Sequence, residues 1–358
     1  MSLTRRRRLP APLVAAGLVA LLAVLVPVSV HVGVAELETR EIVRGVLAEL
    51  GLASPLGGAA QTIVGLRLWR ALTAAGVGAA LALAGGLVQG VFRNPMAEPS
   101  LLGVNAGASL GAAVAILALG GYAPRGVLEQ AGGVATFVVP LCAFVGALAA
   151  VLFVALLAAP HGRLSTPTLL LVGIALNLCV AGIFAAIQSL TLRNWEVGRA
   201  ILAWSFGTLD DRSRLHAATV ATGLLLALAA IPLVARELDL LQGGEADAQG
   251  LGVDVARTRI VSLVAAALAA ACAVSVAGQI AFVGLVVPHV VRLLCGASHR
   301  TLLWLSALLG SVFLLGADLA PRLLLGEGIL PPGVTMSLVG GPFFLLLLVR
   351  HRREVGAW

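Results

Sequence analysis

Few side chains in this sequence are of the kind that catalyse reactions, and those few are not spaced for catalysis. Asp318 is the one acid well inside an apolar stretch, and Arg322 follows it four residues later. Residues four apart lie on one face of a helix, so an ion pair between them is expected. The sequence has no HExxH motif, no GxSxG motif and no carboxylates paired at helical spacing. The sequence therefore predicts a protein that is not an enzyme.

Proton or sodium coupling is the alternative role for Asp318, but it normally requires several ionisable groups near the middle of a membrane. This sequence places uncharged polar residues in or beside its apolar runs instead: Gln89, Asn105, Asn177, Gln188 and Gln279. In lipid such groups must find partners, so each either joins two helices or lines a pathway. A pathway of this kind suits a bulky solute that passes through it.

The composition places the chain in a membrane. Of its 358 residues 59% are hydrophobic and 11% are charged, whereas soluble domains carry about 25% charged residues. All 24 basic residues are arginine, and a chain without lysine has no Walker A site of its own. The arginines lie between apolar runs, which indicates topology determinants and lipid headgroup contacts rather than nucleic-acid binding. The four cysteines are expected to be core residues, with no metal site and no cofactor.

The elements that must position these residues are transmembrane helices. Uncharged or nearly uncharged runs predict the spans 9–35, 71–92, 99–124, 130–162, 164–192, 215–235, 260–291, 301–317 and 328–349. The run 260–291 would measure about 48 Å as one helix, against a hydrocarbon core of about 30 Å. Its two ends are both basic, so it is expected to be a hairpin that turns at Gly278-Gln279 on the outer side. That makes ten helices, with both arginine-rich termini in the cytoplasm.

The stretch RNPMAEPSLLGVNAGASLG, residues 93–111, predicts a turn between two of these helices. Asn94-Pro95 is expected to end one helix and Pro99 to open the next. Gly103, Gly107 and Gly111 would then form a small-residue face for close helix packing. This turn and the one at 278–289 occupy corresponding places in the two halves of the chain. A single permease-like domain of two inverted repeats, about 9–192 and 200–350, is therefore predicted, although two unrelated hairpins would give the same pattern.

The predicted inner loop 236–259 carries five acids and is too polar to enter the bilayer. It is either a docking site for a soluble partner or a solvated linker. The predicted outer segment 36–66 begins with an acidic amphipathic patch, Glu36 to Glu49, which is expected to be partly helical.

Four segments of the chain resemble the FecCD family of ABC-importer permeases. They are 67–111 (RLWRALTAAGVGAALALAGGLVQGVFRNPMAEPSLLGVNAGASLG), 243–252 (GGEADAQGLG), 278–294 (GQIAFVGLVVPHVVRLL) and 317–334 (ADLAPRLLLGEGILPPGV). The resemblance extends over nearly the whole chain. It implies a permease for ferric siderophores, haem or cobalamin in the bacterial inner membrane. The implied assembly is a homodimer, bound to two cytoplasmic ATPases and fed by a periplasmic or lipid-anchored binding protein.

The resemblance also implies roles for individual residues. The residues implied to couple to the ATPase are Gly244, Glu245, Ala248, Leu251 and Gly252. Those implied to narrow the pathway are Asn94, Pro95, Met96, Ser165 and Thr166. Those implied to dock the binding protein are Arg67, Arg70 and Arg322. Two residues depart from the family pattern, Trp69 beside the docking arginines and Pro167 beside the constriction.

Overall fold

The computed structural model describes residues 9–121, 137–159, 166–191, 194–326 and 330–350, and every regular element in these ranges is a helix. In chain order they are α1 (Ala11–His31), α2 (Thr39–Glu49), α3 (Ala59–Phe92), α4 (Val104–Leu119), α5 (Val138–Leu157), α6 (Thr166–Thr191), α7 (Trp195–Ser205), α8 (Arg214–Leu241), α9 (Glu245–Gly250), α10 (Val255–Ala277), α11 (Val283–Cys295), α12 (His299–Leu325) and α13 (Pro332–Arg350). A 3-10 helix, Pro99–Leu102, precedes α4.

Within the described ranges, seven helices are long and apolar enough to cross a membrane: α1, α3, α5, α6, α8, α10 and α12. Three shorter apolar helices, α4, α11 and α13, fall in the remaining predicted spans. Each predicted apolar run therefore contains helix, and the all-α class is confirmed. Ten crossings and cytoplasmic termini stay predictions, and residues 1–8 and 351–358 lie outside the described residues.

Helices α3 and α10 form the centre of the bundle. In their most apolar stretches 83% and 78% of the residues are buried, against 11% in α1 and α6. Helix α3 packs against α8, α10, α11 and α12, while α4 packs chiefly on α5. The outer faces of α1 and α6 consist of exposed apolar side chains, which in a membrane face lipid or another chain.

The packing of α4 on α5 confirms that the predicted glycine face is a close-packing surface. A Cβ atom on Gly107 would overlap the carbonyl oxygen of Gly146 on α5, so the two backbones approach as only glycine permits. The prediction that Pro99 opens this helix needs a small correction. Pro99 begins the 3-10 turn, Gly103 follows with φ of 82°, and α4 starts at Val104.

The run 260–291 does divide at the predicted position, because α10 ends at Ala277 and α11 begins at Val283. The amide of Thr208 donates to the carbonyl of Ala277 at 2.8 Å, whereas Arg292 on α11 bonds Gln89 near the other end of α3. The chain thus reverses direction, but α11 packs on α3 and α12 rather than beside α10.

The acidic patch after α1 folds as the amphipathic helix α2, which lies against the first turns of α3. Glu38 and Glu41 cap its N-terminus reciprocally. Trp69 Nε1 donates to Glu49 Oε2 at 2.9 Å, so the tryptophan that departs from the family pattern holds α2 on α3. Helix α3 begins at Ala59, twelve residues before the predicted span.

Candidate functional site

A buried ion cluster lies at one end of α3, called here the Arg70 end. Arg70 Nη2 lies 2.8 Å from Asp318 Oδ1, Arg70 Nε lies 3.1 Å from Asp318 Oδ2, and Arg70 also pairs with Asp210. Arg322 Nη1 lies 3.6 Å from Asp318 Oδ2, which confirms the predicted i,i+4 ion pair. The Asp318 side chain has no exposed area, so two guanidinium groups compensate a charge that water does not reach.

Two arginines at the same end of the bundle, Arg67 and Arg322, hold the end of α1. Arg67 Nη2 donates to the carbonyl of Ala35 at 2.8 Å and Nη1 to that of His31 at 3.3 Å. Arg322 donates to the Ser29 hydroxyl at 3.2 Å and to the carbonyl of Val32. The last carbonyls of a helix lack partners within the helix and carry partial negative charge, so two arginines satisfy them here.

All three predicted docking arginines line one open cleft of about 550 Å³ at the Arg70 end. Arg67 and Arg322 are buried, at 7% and 5% exposure, while 15% of the Arg70 side chain is exposed. Asp210 and Asp211 line the same cleft, which partly balances its positive charge. Docking of a binding protein stays a prediction, and Arg70 is the arginine that a partner reaches most easily.

The turn after α3 lies at the opposite end, called here the Arg93 end. Arg93 takes left-handed geometry with φ of 50° and ends α3. Asn94 Oδ1 then accepts the amide of Met96 at 2.9 Å, so the side chain closes the turn that Pro95 requires. Asn94 and Pro95 are exposed and Met96 is partly buried. Ser165 lies outside the described residues and Thr166 is the first residue of α6, so the constriction that these residues were predicted to form stays a prediction.

Two non-helical segments meet beside the last third of α3. Glu98, before the 3-10 helix, accepts the backbone amide of Phe282 at 3.0 Å and the Ser100 hydroxyl at 3.3 Å. Phe282 precedes α11 with φ of 69°, which is left-handed geometry that an aromatic residue rarely adopts. A Cβ on Gly85 of α3 would overlap the Gly284 backbone, so α11 begins in direct contact with α3.

This junction is the feature that the sequence interpretation missed. Glu98 lies between Pro95 and Pro99 in the predicted turn, and no role was predicted for it. The sequence did offer one indication. A break between helices at 278–282 leaves backbone amides unpaired within the bundle, and these amides require an acceptor from another segment.

A cleft of about 420 Å³ between α4 and α6 collects four of the five uncharged polar residues: Asn105, Asn177, Gln188 and Gln279. Asn177 Nδ2 donates to the Ser100 carbonyl at 3.0 Å, and Gln279 bonds the Ser109 hydroxyl. Gln89 instead bonds the Gly284 carbonyl at 3.1 Å, away from this cleft. Asn177 and Gln279 thus both join segments and line the cleft, whereas Gln89 only joins segments.

The predicted coupling loop contains the short helix α9, which follows Gly244. Ala248 is fully buried, whereas Leu251 is 68% exposed at its C-terminal end. Glu245 pairs with Arg259 on α10 and lies 3.6 Å from Arg93 at the end of α3. The loop therefore contains a short helix joined to both central helices, and its docking role stays a prediction.

No group of three or more histidine, cysteine, aspartate or glutamate side chains suited to a metal ion occurs in the described ranges. The described residues thus form an ion-paired cleft at the Arg70 end, a polar cleft between α4 and α6, and the short helix α9 at the Arg93 end.

Comparisons with known proteins agree with this arrangement. The chain is 42% identical over 300 residues to the cobalamin import system permease protein BtuC of Halobacterium salinarum. The aligned region covers 83% of this chain and 76% of that protein. It is 39% identical to the hemin transport system permease protein HmuU of Yersinia pestis, over 81% of this chain and 83% of that one. It is 38% identical to the Fe(3+) dicitrate transport system permease protein FecD of Escherichia coli, over 80% and 84%.

The fold has a solved counterpart, described as an inward-facing conformation of a metal-chelate type ABC transporter. It superposes with a TM-score of 0.76 at 27% identity, covering 95% of this chain and 99% of that one. The model of the FecCD transport family matches residues 21–350. The chain therefore belongs to the FecCD transport family.

Proposed function

We propose that this protein is the membrane-spanning permease of an ATP-driven importer that carries an iron-siderophore, haem or cobalamin-like chelate into the bacterial cytoplasm. It acts as a homodimer with two ATPase subunits at the Arg93 end and a binding protein at the Arg70 end. The relatives named for cobalamin, hemin and ferric dicitrate support this class of solute, because all three are bulky metal chelates.

The observation that carries the proposal is helix α9. In this helix Ala248 is buried, Leu251 is exposed and Glu245 pairs with arginines on two other helices. An unstructured linker would not require these contacts. An exposed leucine at the end of a rigid projection is the kind of apolar anchor that fills a pocket on a partner.

The test is co-purification of a co-expressed ATPase subunit of this importer class with the permease. Leu251→Glu is the informative variant, since the side chain is exposed and the change leaves the fold intact. We expect it to lower ATPase recovery at least tenfold, as loss of an apolar anchor worth about 2 kcal/mol requires. Leu233→Glu would be a poor control because it faces lipid, so Leu52→Glu on the α2–α3 loop, which is 74% exposed, serves instead. Equal recovery of the ATPase with wild type and Leu251→Glu would reject the docking role of α9.

The binding protein is proposed to contact Arg70 in the open cleft. Arg67 and Arg322 also hold α1, so charge reversal there would alter the fold as well as the surface. Arg70→Gln also removes the contacts of Arg70 with buried Asp318, so association is measured on the folded, purified fraction. The variant should slow association of the binding protein and weaken its salt dependence, because charges at the edge of an interface mainly accelerate encounter. Arg199→Gln on the exposed face of α7 is the matched control. Wild-type association rates for Arg70→Gln at low and high salt would remove this arginine from the docking surface.

A proton-coupled transporter acting alone is the second candidate, and Glu98 is the observation in its favour. Its carboxylate lies within the bundle beside Leu81 of α3, and acids inside a bundle are the groups that couple protons in such transporters. Uptake into cells decides between the two. An ATP-driven importer continues when a protonophore collapses the proton gradient and ATP is maintained, whereas a proton-coupled carrier stops.

A further inference from the structure

A second cleft, of about 420 Å³, opens between α8 and α10 at the Arg93 end of the bundle, next to helix α9. Pro232, Leu233 and Val261 form its apolar part, while Leu251 and Gly252 close the side toward α9. It is separate from the polar cleft between α4 and α6, and of its lining only Leu251 and Gly252 belong to the proposed coupling segment.

The polar part of this cleft carries both signs of charge. Arg236 and Arg257 are exposed, and neither guanidinium forms an ion pair with another residue in the described part of the chain. Glu237 and Asp254 lie in the same lining. Asp254 caps α10 by accepting the Arg257 amide at 3.0 Å, but the Glu237 Oε2 atom is buried without a hydrogen-bond donor. A buried carboxylate oxygen without a donor is costly, so a ligand that supplies one is favoured.

The depth of the cleft identifies the kind of ligand. Leu233 precedes Arg236 by three residues and Val261 follows Arg257 by four, so the apolar part lies about 5–6 Å deeper in the bundle than the arginines. The exposed side chains next to it are Leu233 at 59% and Ile260 at 51%, which face the surroundings of the helices. Apolar surface next to a group of positive and negative charges matches a phospholipid, whose acyl chains and headgroup have the same arrangement.

We propose that this cleft binds phosphatidylethanolamine. The lipid phosphate lies between Arg236 and Arg257, the ammonium donates to Glu237 Oε2, and one acyl chain follows Leu233 and Val261. Phosphatidylglycerol would place its phosphate between the same two arginines, but its neutral glycerol supplies no cation to offset Glu237 and Asp254. Phosphatidylcholine carries both signs of charge but has no N–H group to donate. The site therefore selects a phospholipid that has both a phosphate and an ammonium donor.

The position beside α9 gives the lipid a structural effect. Leu251 and Gly252 form part of both the cleft and the proposed coupling segment. A bound headgroup fills the space between this segment and α8, so it restrains α9 in the orientation seen here. This inference does not depend on which solute is transported.

The experiment uses the full chain, purified in detergent, stripped of lipid and incubated with phosphatidylethanolamine, phosphatidylcholine or phosphatidylglycerol of the same acyl chains. Native mass spectrometry counts the bound lipid. We expect phosphatidylethanolamine to exceed each of the others about tenfold, because a hydrogen bond to a charged group contributes about 1.5–3 kcal/mol. Equal binding of phosphatidylcholine, or stronger binding of phosphatidylglycerol, would overturn the proposal.

Two variants separate the contacts. Arg236→Ala with Arg257→Ala should lower binding of phosphatidylethanolamine about tenfold or more, by loss of two charge-assisted bonds. Glu237→Gln keeps the size of the side chain and should remove only the preference for ethanolamine over choline. Arg300→Ala changes an exposed arginine on α12 at the same end of the bundle and should change nothing.

The Glu237→Gln result stays decisive even when the double variant fails to fold. A persisting ethanolamine preference in Glu237→Gln would remove Glu237 from the site. An equal loss of lipid in Arg300→Ala would show that binding follows overall charge, and would overturn the proposal.

Discussion

Asp318→Asn is expected to weaken the fold strongly, because Asp318 holds two arginines in a region without water. Its carboxylate accepts three contacts from Arg70 within 3.2 Å and lies 3.6 Å from Arg322. Asparagine keeps the shape but places an NH₂ group against guanidinium donors and removes one charge. Breaking a buried pair on one side costs about 3–5 kcal/mol. Arg70 keeps Asp210, whose side chain is 56% exposed, so we expect a value near the lower limit, about 3 kcal/mol.

The assay is unfolding of the purified protein by titration with a denaturing detergent, followed by loss of helical signal. The expected result is a decrease of about 3 kcal/mol in the apparent free energy of unfolding. Asp211→Asn is the matched control, since Asp211 is an exposed acid in the same cleft and asparagine tolerates its φ of 55°. A loss below about 1 kcal/mol, the usual limit for exposed pairs, would refute the claim that this cluster is buried and necessary.

Three further changes probe other contacts by the same unfolding assay. Gly107→Val should destabilise the protein by about 1–3 kcal/mol, because the added side chain overlaps the Gly146 backbone and separates α4 from α5. Trp69→Phe removes the donor to Glu49 and should cost about 1 kcal/mol, with protease cleavage after α2 becoming faster. Arg93→Ala removes a half-exposed ion pair with Glu245, so it should change the free energy of unfolding by less than about 1 kcal/mol. The stimulation of the partner ATPase by solute should fall. Unchanged stimulation would exclude Arg93 from coupling.

The sequence predicted most of the fold because lipid imposes simple rules. Every backbone group in a membrane must be paired, so each long uncharged run has to be helical. Proline and glycine then marked the ends, as at Pro95 and Gly278. These rules do not predict how a loop runs between helices. They therefore did not show that Phe282 contacts Glu98, or that α11 packs on α3 and α12 rather than beside α10.

The candidate sites were predictable to different degrees. The Asp318–Arg322 pair followed from helical spacing alone, whereas the contact of Asp318 with Arg70 joins residues 248 positions apart and has no local signal. Glu98 was missed for the same reason, since its partner is a backbone amide on another segment. The docking, coupling and constriction roles came from resemblance, and the geometry adds to them only that Arg67 and Arg322 also anchor α1.

The anchoring of α1 has a consequence for the order in which the chain assembles during synthesis. Arg322 bonds Ser29 across 293 residues, so α1 is completed long before its second anchor exists. At translation rates of about 5–20 residues per second, the interval is roughly 15–60 s. Arg67, 36 residues after the end of α1, is made first and bonds the carbonyls at that end early. Helix α1 is therefore anchored twice, first by α3 and later by α12.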